Sequence, residues 1–442
     1  MLLFMRKLGH NCHKFREAIN MIKRDFYLKQ IISKMWNGNI KVITGIRRCG
    51  KSTLLFDLFY SYLINNGTKE DCIIKIELDK RKYLKFRNPI YLCEYVENKI
   101  TSSNDKFYLF IDEVQLTNVV KDEESGIDVT IYDMLNELKG YKNLDCYVTG
   151  SNSKMLSSDI ATEFRGRSSQ IKVYPLSFSE LYSYKNKDKR ELLDEYMEFG
   201  GMPGLIDIND DSEKKEYLIN LYNEIYIKDL VEHGKIRRED VLDEILNYLA
   251  SQISSLTNSS NIANSINVKS SDKIDDGLVA RYLNQLEDAF LISKAKRYDV
   301  KGKKYFDYPN KYYYCDLGLR NARLNYRQND PGHIMENIIY NELIRLGYSV
   351  DIGVVEDRSN GLKKQKEIDF IVNYFDKRIY IQSVFRLDGN EKRNNELDSL
   401  KITGDFFKKI IIRNDINKSF YYDNGIMHVS LLDFLLGEVE LF

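Results

Sequence analysis

The chain has 442 residues, 43% of them hydrophobic and 30% charged, a balance that describes folded globular protein and excludes an extended disordered chain. That length exceeds one ordinary hydrophobic core and predicts two or three domains. Lysine plus arginine and aspartate plus glutamate both number 66, so no net field draws the protein toward nucleic acid or an anionic membrane; any such contact needs a local patch.

The six cysteines (12, 49, 72, 93, 146 and 315) show no paired spacing, which predicts reduced thiols and a cytoplasmic location. No apolar run reaches membrane-spanning length, and no membrane partner is expected. Met1–Met5 is apolar but runs straight into Arg6 and Lys7, which makes it a poor signal peptide.

Residues 1–20 carry no pattern and stand apart as an extension. An amphipathic helix is predicted from Met21 through Tyr27, Ile31, Ile32 and Met35. Ile40–Ile43 is short, β-branched and apolar, as a buried strand should be. It leads into Thr44–Thr53, T-G-I-R-R-C-G-K-S-T, which fits G-x-x-x-x-G-K-[ST] at Gly45, Gly50, Lys51 and Ser52. Apolar residues at helical spacing follow, so the motif sits between strand and helix as its chemistry requires. Two glycines let the loop curl so that backbone N–H groups face phosphate oxygens, and the helix N-terminus adds partial positive charge. Gly45, Ile46, Arg47, Arg48, Cys49, Gly50, Lys51, Ser52 and Thr53 form the expected nucleotide-contacting stretch. Lys51 is assigned to the β/γ-phosphates and Ser52 to Mg²⁺.

Cys72–Leu78 reads as a second strand and Ile90–Ile100 as a helix. Phe107-Tyr-Leu-Phe-Ile-Asp-Glu-Val-Gln then delivers two carboxylates at a strand's C-terminal end, where α/β sheets place ligands. Asp112 is the candidate Mg²⁺ ligand, directly or through water, and Glu113 the base that polarises attacking water. Asp145–Ser153 is another strand ending in a polar cluster. Asn152 is the first choice there for a side chain sensing the γ-phosphate and Ser151 the second; simple turn chemistry explains the cluster equally well. Arg165 and Arg167 flank a glycine, and either could serve as an arginine finger in cis or toward a neighbouring subunit; a solvated basic turn fits as well.

Ile171–Leu176 closes the core, and Ser177 to Glu180 has capping-box spacing. Phe199-Gly-Gly-Met-Pro-Gly marks a fixed bend or hinge into a helical lid. Helices are predicted over Ser212–Leu230, Val241–Ser254, Ile262–Val268 and Asp275–Phe290, followed by a β-hairpin, which is a winged-helix arrangement. Seven basic residues (294, 296, 297, 301, 303, 304 and 311) oppose two acids there, interleaved with Tyr298, Tyr305, Phe306 and Tyr308. Such a hairpin could track a DNA backbone or simply pack on its own domain.

His333–Gly347 is predicted as a helix carrying Glu336. Gln365–Val372 is a strand whose alternation puts Glu367 and Asp369 on one face. Arg378–Phe385 is the next strand, with Gln382. Helix acid, strand acid and strand polar residue is the layout of a restriction-endonuclease-like metal site. Here the second strand ligand is Gln382 and the lysine position is Val384, so Glu336, Asp369 and Gln382 make at most a degenerate site, and nuclease activity is not expected.

Taken together, these motifs resemble a prokaryotic family of AAA+/STAND-like ATPases whose C-terminal third is a domain of unknown function. The resemblance rests on G-I-R-R-C-G-K-S-T at 45–53, F-I-D-E-V-Q at 110–115 and T-G-S-N-S-K-M-L at 149–156. It continues through F-R-G-R at 164–167, Y-P-L-S-F at 174–178, G-G-M-P-G at 200–204 and E-I-D-F-I-V at 367–372. It begins near Met21 and covers nearly all the rest.

The fold it implies is α/β: a P-loop ATPase core over 21–205, a helical lid and winged helix over 206–330, and a smaller restriction-endonuclease-like α/β domain over 331–442. It also implies ATP as nucleotide. The expected function is a Mg²⁺-dependent ATPase that moves its winged-helix and C-terminal domains. The alternatives are a nucleotide-gated switch or scaffold with little turnover, and a DNA-processing nuclease. DNA, an unidentified protein partner and a second copy of the chain are the candidate macromolecular partners.

Overall fold

The computed structural model describes residues 22–442 apart from 124–125, 151–167, 186, 224–229, 232–235, 269–272, 358–363, 388–397 and 422–424. Helix α1 (Asp25–Ser33) precedes strand β1 (Ile40–Thr44). Helix α2 follows as three contiguous segments, Lys51–Thr53, the more widely wound Leu54–Phe59, and Tyr60–Asn65. Then come β2 (Ile73–Glu77), α3 (Pro89–Ile100), β3 (Phe107–Asp112), the small hairpin β4 (Val120–Lys121) and β5 (Asp128–Val129), α4 (Ile131–Leu138), β6 (Leu144–Thr149) and β7 (Ser168–Lys172).

Five of these strands form an all-parallel sheet in the order β2-β3-β6-β1-β7. The chain leaves β1 for the far edge, returns through β3 and β6, and adds β7 on the other side of β1. Parallel strands covered on both faces read as continuous apolar runs, and β1, β3 and β6 are buried at every position. Period two sorts them. Ile43, Tyr108, Phe110, Tyr147 and Ile171 join the core beneath α1 and α2. Val42, Ile74, Leu109, Ile111 and Val148 face α3 and α4. One charged pair lies inside this sheet: Lys41, fully buried, is bonded to Asp145, which also accepts the Trp36 N–H at 3.0 Å and the Tyr147 hydroxyl at 2.7 Å.

The middle of the chain is helical: α5 (Phe178–Lys185), α6 (Lys189–Phe199), α7 (Asp211–Asn220), α8 (Glu239–Ser251), then β8 (Leu256–Thr257), α9 (Ser259–Asn267) and α10 (Asp276–Asp288). The predicted capping box forms, with the Ser177 N–H donating to Glu180 Oε2 at 2.9 Å and the Glu180 N–H to Ser177 Oγ at 3.3 Å. Hairpin β9 (Ile292–Asp299) and β10 (Lys304–Tyr314) follows, then α11 (Leu317–Arg323), α12 (Pro331–Arg345), β11 (Ser349–Asp357), β12 (Lys364–Tyr374), β13 (Lys377–Val384), β14 (Lys408–Arg413), β15 (Phe420–Tyr421), β16 (Met427–Ser430) and α13 (Leu431–Leu435).

The hairpin does not stand apart from the C-terminal strands. Strand β9 pairs in parallel with β11, giving one nine-stranded sheet, β15-β16-β14-β13-β12-β11-β9-β10-β8. The sheet therefore crosses residue 330, and what the hairpin holds and what the C-terminal strands hold share a surface. The bend after α6 is clamped on two sides. Gly201 donates its N–H to Asp316 Oδ2 at 2.7 Å, and its carbonyl accepts the Leu176 N–H at 2.8 Å. Gly200 has φ +72°, and a β-carbon there would lie 2.2 Å from Asp316 Oδ1, so only glycine fits. Cys49, Cys72, Cys93, Cys146 and Cys315 are all unbridged. No helix among the described residues is long and apolar enough to cross a membrane.

Candidate nucleotide-binding site

Strand β1 delivers Gly45 to the C-terminal edge of the five-stranded sheet, and the loop closes onto α2 at Gly50, whose φ of +95° is left-handed. Gly45 (φ +146°) packs so tightly on the chain beyond β7 that a β-carbon would sit 2.1 Å from the Val173 carbonyl oxygen. Arg48 also has positive φ, +63°, a conformation that costs a non-glycine residue about 1 kcal/mol or more. Ile46 and Cys49 point under the loop and are buried, whereas Arg47, Arg48, Ser52 and Thr53 are exposed. The N-terminus of α2 has first-turn N–H groups with no intrahelical acceptor and the positive end of its dipole at the loop.

Lys51 is buried, and its ammonium curls back to donate to the carbonyls of Gly45 (2.9 Å) and Ile46 (3.0 Å). Asp112, the last residue of β3, is also buried. Ser52, at the start of α2, is near enough to favour the charged form of the Asp112 carboxylate. Burial, more than any other influence, holds the Asp112 carboxyl above its ordinary range; hydrogen bonds from Thr149 and Ser52 oppose that, and Glu113 and Asp79 add to it. A serine hydroxyl and a strand-end carboxylate are oxygen ligands of the kind that Mg²⁺, a hard ion, prefers.

Glu113 sits half-buried at φ +54°, with the Gln115 amide donating to its carboxylate. Thr149, the last residue of β6, donates its hydroxyl to Asp112 and accepts the Glu113 N–H at 3.2 Å. The structure thus gathers Gly45, Gly50, Lys51, Ser52, Asp112 and Glu113 at one sheet edge. Asn152, Arg165 and Arg167 lie outside the described residues, so the polar contact recorded at this strand end is Thr149. Sequence reading passed over it because a threonine closing a strand is also an ordinary β-former.

Arg24 is a second residue missed from sequence. It donates to the Cys49 carbonyl at 3.1 Å and the Tyr174 carbonyl at 2.7 Å, pairs with Glu180 Oε1 at 3.0 Å, and lies over the Tyr27 ring. One buried guanidinium therefore rivets the loop to the chain after β7 and to α5. Only its position before α1, far from the motif in sequence, was visible beforehand.

The C-terminal triad also converges: Glu336, Asp369 and Gln382 line one open cleft of about 720 Å³. Asp369 donates its N–H to Gln382 Oε1 at 3.4 Å and accepts the Ser383 N–H at 2.7 Å. One expectation is corrected here. Lys311, counted among the hairpin's basic residues available to DNA, is 4% exposed and paired with Glu336 at 2.9 Å and Glu367 at 2.7 Å. A side chain turned into the cleft cannot follow a backbone outside it.

Loop, strand carboxylates and parallel sheet define a P-loop protein of the AAA class. An AAA domain model matches residues 37–182, and a domain of unknown function (DUF8612) matches residues 190–330, the helices and hairpin. An uncharacterized protein of Haemophilus influenzae is 32% identical over 423 residues, covering 94% of this chain and 99% of its own length. An uncharacterized protein of Methanocaldococcus jannaschii is 30% identical over 409 residues, covering 88% and 83%. The chain belongs to the family of AAA-domain proteins that includes these two. Among solved structures, AMPPCP-bound DnaA from Aquifex aeolicus aligns over 59% of this chain and 85% of its own at 16% identity, but with a TM-score of 0.29 the likeness carries no argument.

Proposed function

We propose that the chain is a Mg²⁺-dependent ATPase whose nucleotide cycle moves the hairpin-bearing middle, read as a winged helix, and the C-terminal sheet. The observation that carries this is the placement of the loop-held Lys51 ammonium and the buried Asp112 carboxylate at the C-terminal ends of strands in one parallel sheet. On binding, Lys51 exchanges the Gly45 and Ile46 carbonyls for phosphate oxygens, trading neutral acceptors for charged ones. Ser52 and Asp112 would hold Mg²⁺, which supplies charge neutralisation at the β- and γ-phosphate oxygens. Glu113 takes the proton of the attacking water, with Gln115 fixing its carboxylate and Thr149 its backbone.

Movement has a path. Pro203 lies near Gly50, and Gly201 in the same bend is held by Asp316 at the head of α11. The test is phosphate release by purified protein. Glu113→Gln should cut turnover by about 100-fold or more while keeping nucleotide affinity, in the range expected of a lost general base. Unchanged turnover would overturn the assignment.

A second reading, DNA contact, is favoured by the hairpin's outer end. Tyr305 and Tyr308 are 57% and 63% exposed, and Lys296, Lys301, Lys303 and Lys304 are exposed beside them. Binding of labelled duplex DNA should weaken with salt and fall in a Lys301→Ala/Lys303→Ala/Lys304→Ala variant. Equal binding by that variant would remove this reading.

A further inference from the structure

The carboxylates of the C-terminal cleft come from two elements. Glu336 rises from the second turn of α12, and Glu367 and Asp369 share one face of β12. In a carboxylate nuclease such a cluster holds a divalent cation, with a lysine from the following strand steadying the nucleophilic water. The residues present here depart from that set. Gln382 supplies a neutral amide, and Val384, at the lysine position, is 2% exposed in an apolar cluster with Ile368, Ile371 and Tyr380.

A cation is nevertheless in place, delivered from a different strand. The bulge in the β9–β10 pairing between Phe306 and Lys311 resets the register, and beyond it Lys311 Nζ lies 2.9 Å from Glu336 Oε1 and 2.7 Å from Glu367 Oε1. Two residues along the same face, the fully buried Tyr313 hydroxyl donates to the same Glu336 oxygen at 2.7 Å, its ring stacked on Tyr340 with centroids 4.0 Å apart. We propose that the Lys311 ammonium permanently occupies the cation position of this cleft, making it an ionic clasp between the hairpin and the C-terminal sheet that admits no divalent metal.

Electrostatics favours this occupant. Burial tends to lower the lysine's proton affinity, but Glu336 and Glu367 raise it far above the ordinary value, so it stays charged. Burial, with Glu336 next, holds the Asp369 carboxyl well above its usual range. A metal ion in the same place would face an ammonium within contact distance, and like charges there disfavour both. The clasp also has a structural consequence. Lys311 anchors β10 five residues before Asp316, which holds Gly201, so the hairpin is fixed at the end that leads into that clamp.

The inference does not depend on the nucleotide loop, and its test uses the full chain without nucleotide, with Mn²⁺ as probe read by electron paramagnetic resonance of the free ion. Wild type should bind no Mn²⁺ that Glu336→Gln removes. Lys311→Met, which keeps the stem that packs β10 but leaves the carboxylates uncompensated, should gain one Mn²⁺ site, lost again in Lys311→Met/Asp369→Asn. If Lys311→Met is unfolded alone, Mn²⁺ should restore its melting transition. Wild-type Mn²⁺ binding abolished by Glu336→Gln would overturn the proposal. So would a folded Lys311→Met that binds none, or an unfolded one that Mn²⁺ fails to rescue.

Discussion

Thr149 donates its hydroxyl to the Asp112 carboxylate from the end of the neighbouring strand, and the same oxygen accepts the Glu113 N–H at 3.2 Å. Two residues with different tasks thus share one support: the Asp112 carboxylate and the backbone of Glu113, whose own carboxylate accepts from Gln115.

Thr149→Val keeps the β-branched shape and removes both hydrogen bonds. Turnover should fall by about 10-fold or more, the scale of one to two lost hydrogen bonds to charged or catalytic groups, while nucleotide affinity changes little. Steady-state phosphate release beside a binding titration separates the two effects. A loss confined to affinity would show that Thr149 acts on the bound nucleotide and not on Glu113.

The clamp on the bend after α6 should be legible as pH-dependent stability. Burial pushes the Asp316 carboxyl from 3.8 up to about 6, against the pull of N–H donors on Gly201, Leu319 and Gly318. An acid with raised folded pKa keeps its proton in the native state where the unfolded chain has lost it. Its contribution to stability is therefore complete below 3.8, declines as pH rises toward about 6, and is level above that. Denaturant midpoints measured across this window should show that slope in wild type and not in Asp316→Asn. An identical slope in the variant would assign the proton elsewhere.

The Lys41–Asp145 pair inside the five-stranded sheet predicts a large asymmetry between single and double changes. Asp145→Ala strands a fully buried ammonium together with the Trp36 N–H and the Tyr147 hydroxyl, and should cost about 3–5 kcal/mol. Adding Lys41→Met removes the stranded charge and should recover part of that loss by urea denaturation. A double variant less stable than Asp145→Ala would mean that the lysine stabilises the sheet without its partner.

What sequence could disclose follows the range of the interactions involved. Buried parallel strands and the capping box at Ser177 and Glu180 are local patterns, so β1, β3 and β6 are readable, with Gly45 after β1 and Asp112 and Glu113 at the end of β3. Lys311 was misplaced because charge patterning counts lysines without saying which one turns inward. That depends on a bulge in β10 and on Glu336 and Glu367, both remote in sequence. Arg24 and Thr149 act through the Cys49 carbonyl and Asp112, contacts that exist only once β1, β3, β6 and β7 are assembled. The pairing of β9 with β11, which merges hairpin and C-terminal strands, is likewise a long-range match that no turn signal announces.

The most direct test of the nucleotide site is a calorimetric titration of Mg²⁺-ATP into folded wild type and Lys51→Ala. Lys51 is the buried cation already poised on the Gly45 and Ile46 carbonyls. Wild type should bind one equivalent, and Lys51→Ala should bind at least 10-fold more weakly, the effect of losing a charge-assisted contact worth about 1.4 kcal/mol or more. Absence of binding by folded wild type, or equal affinity in the two proteins, would contradict it.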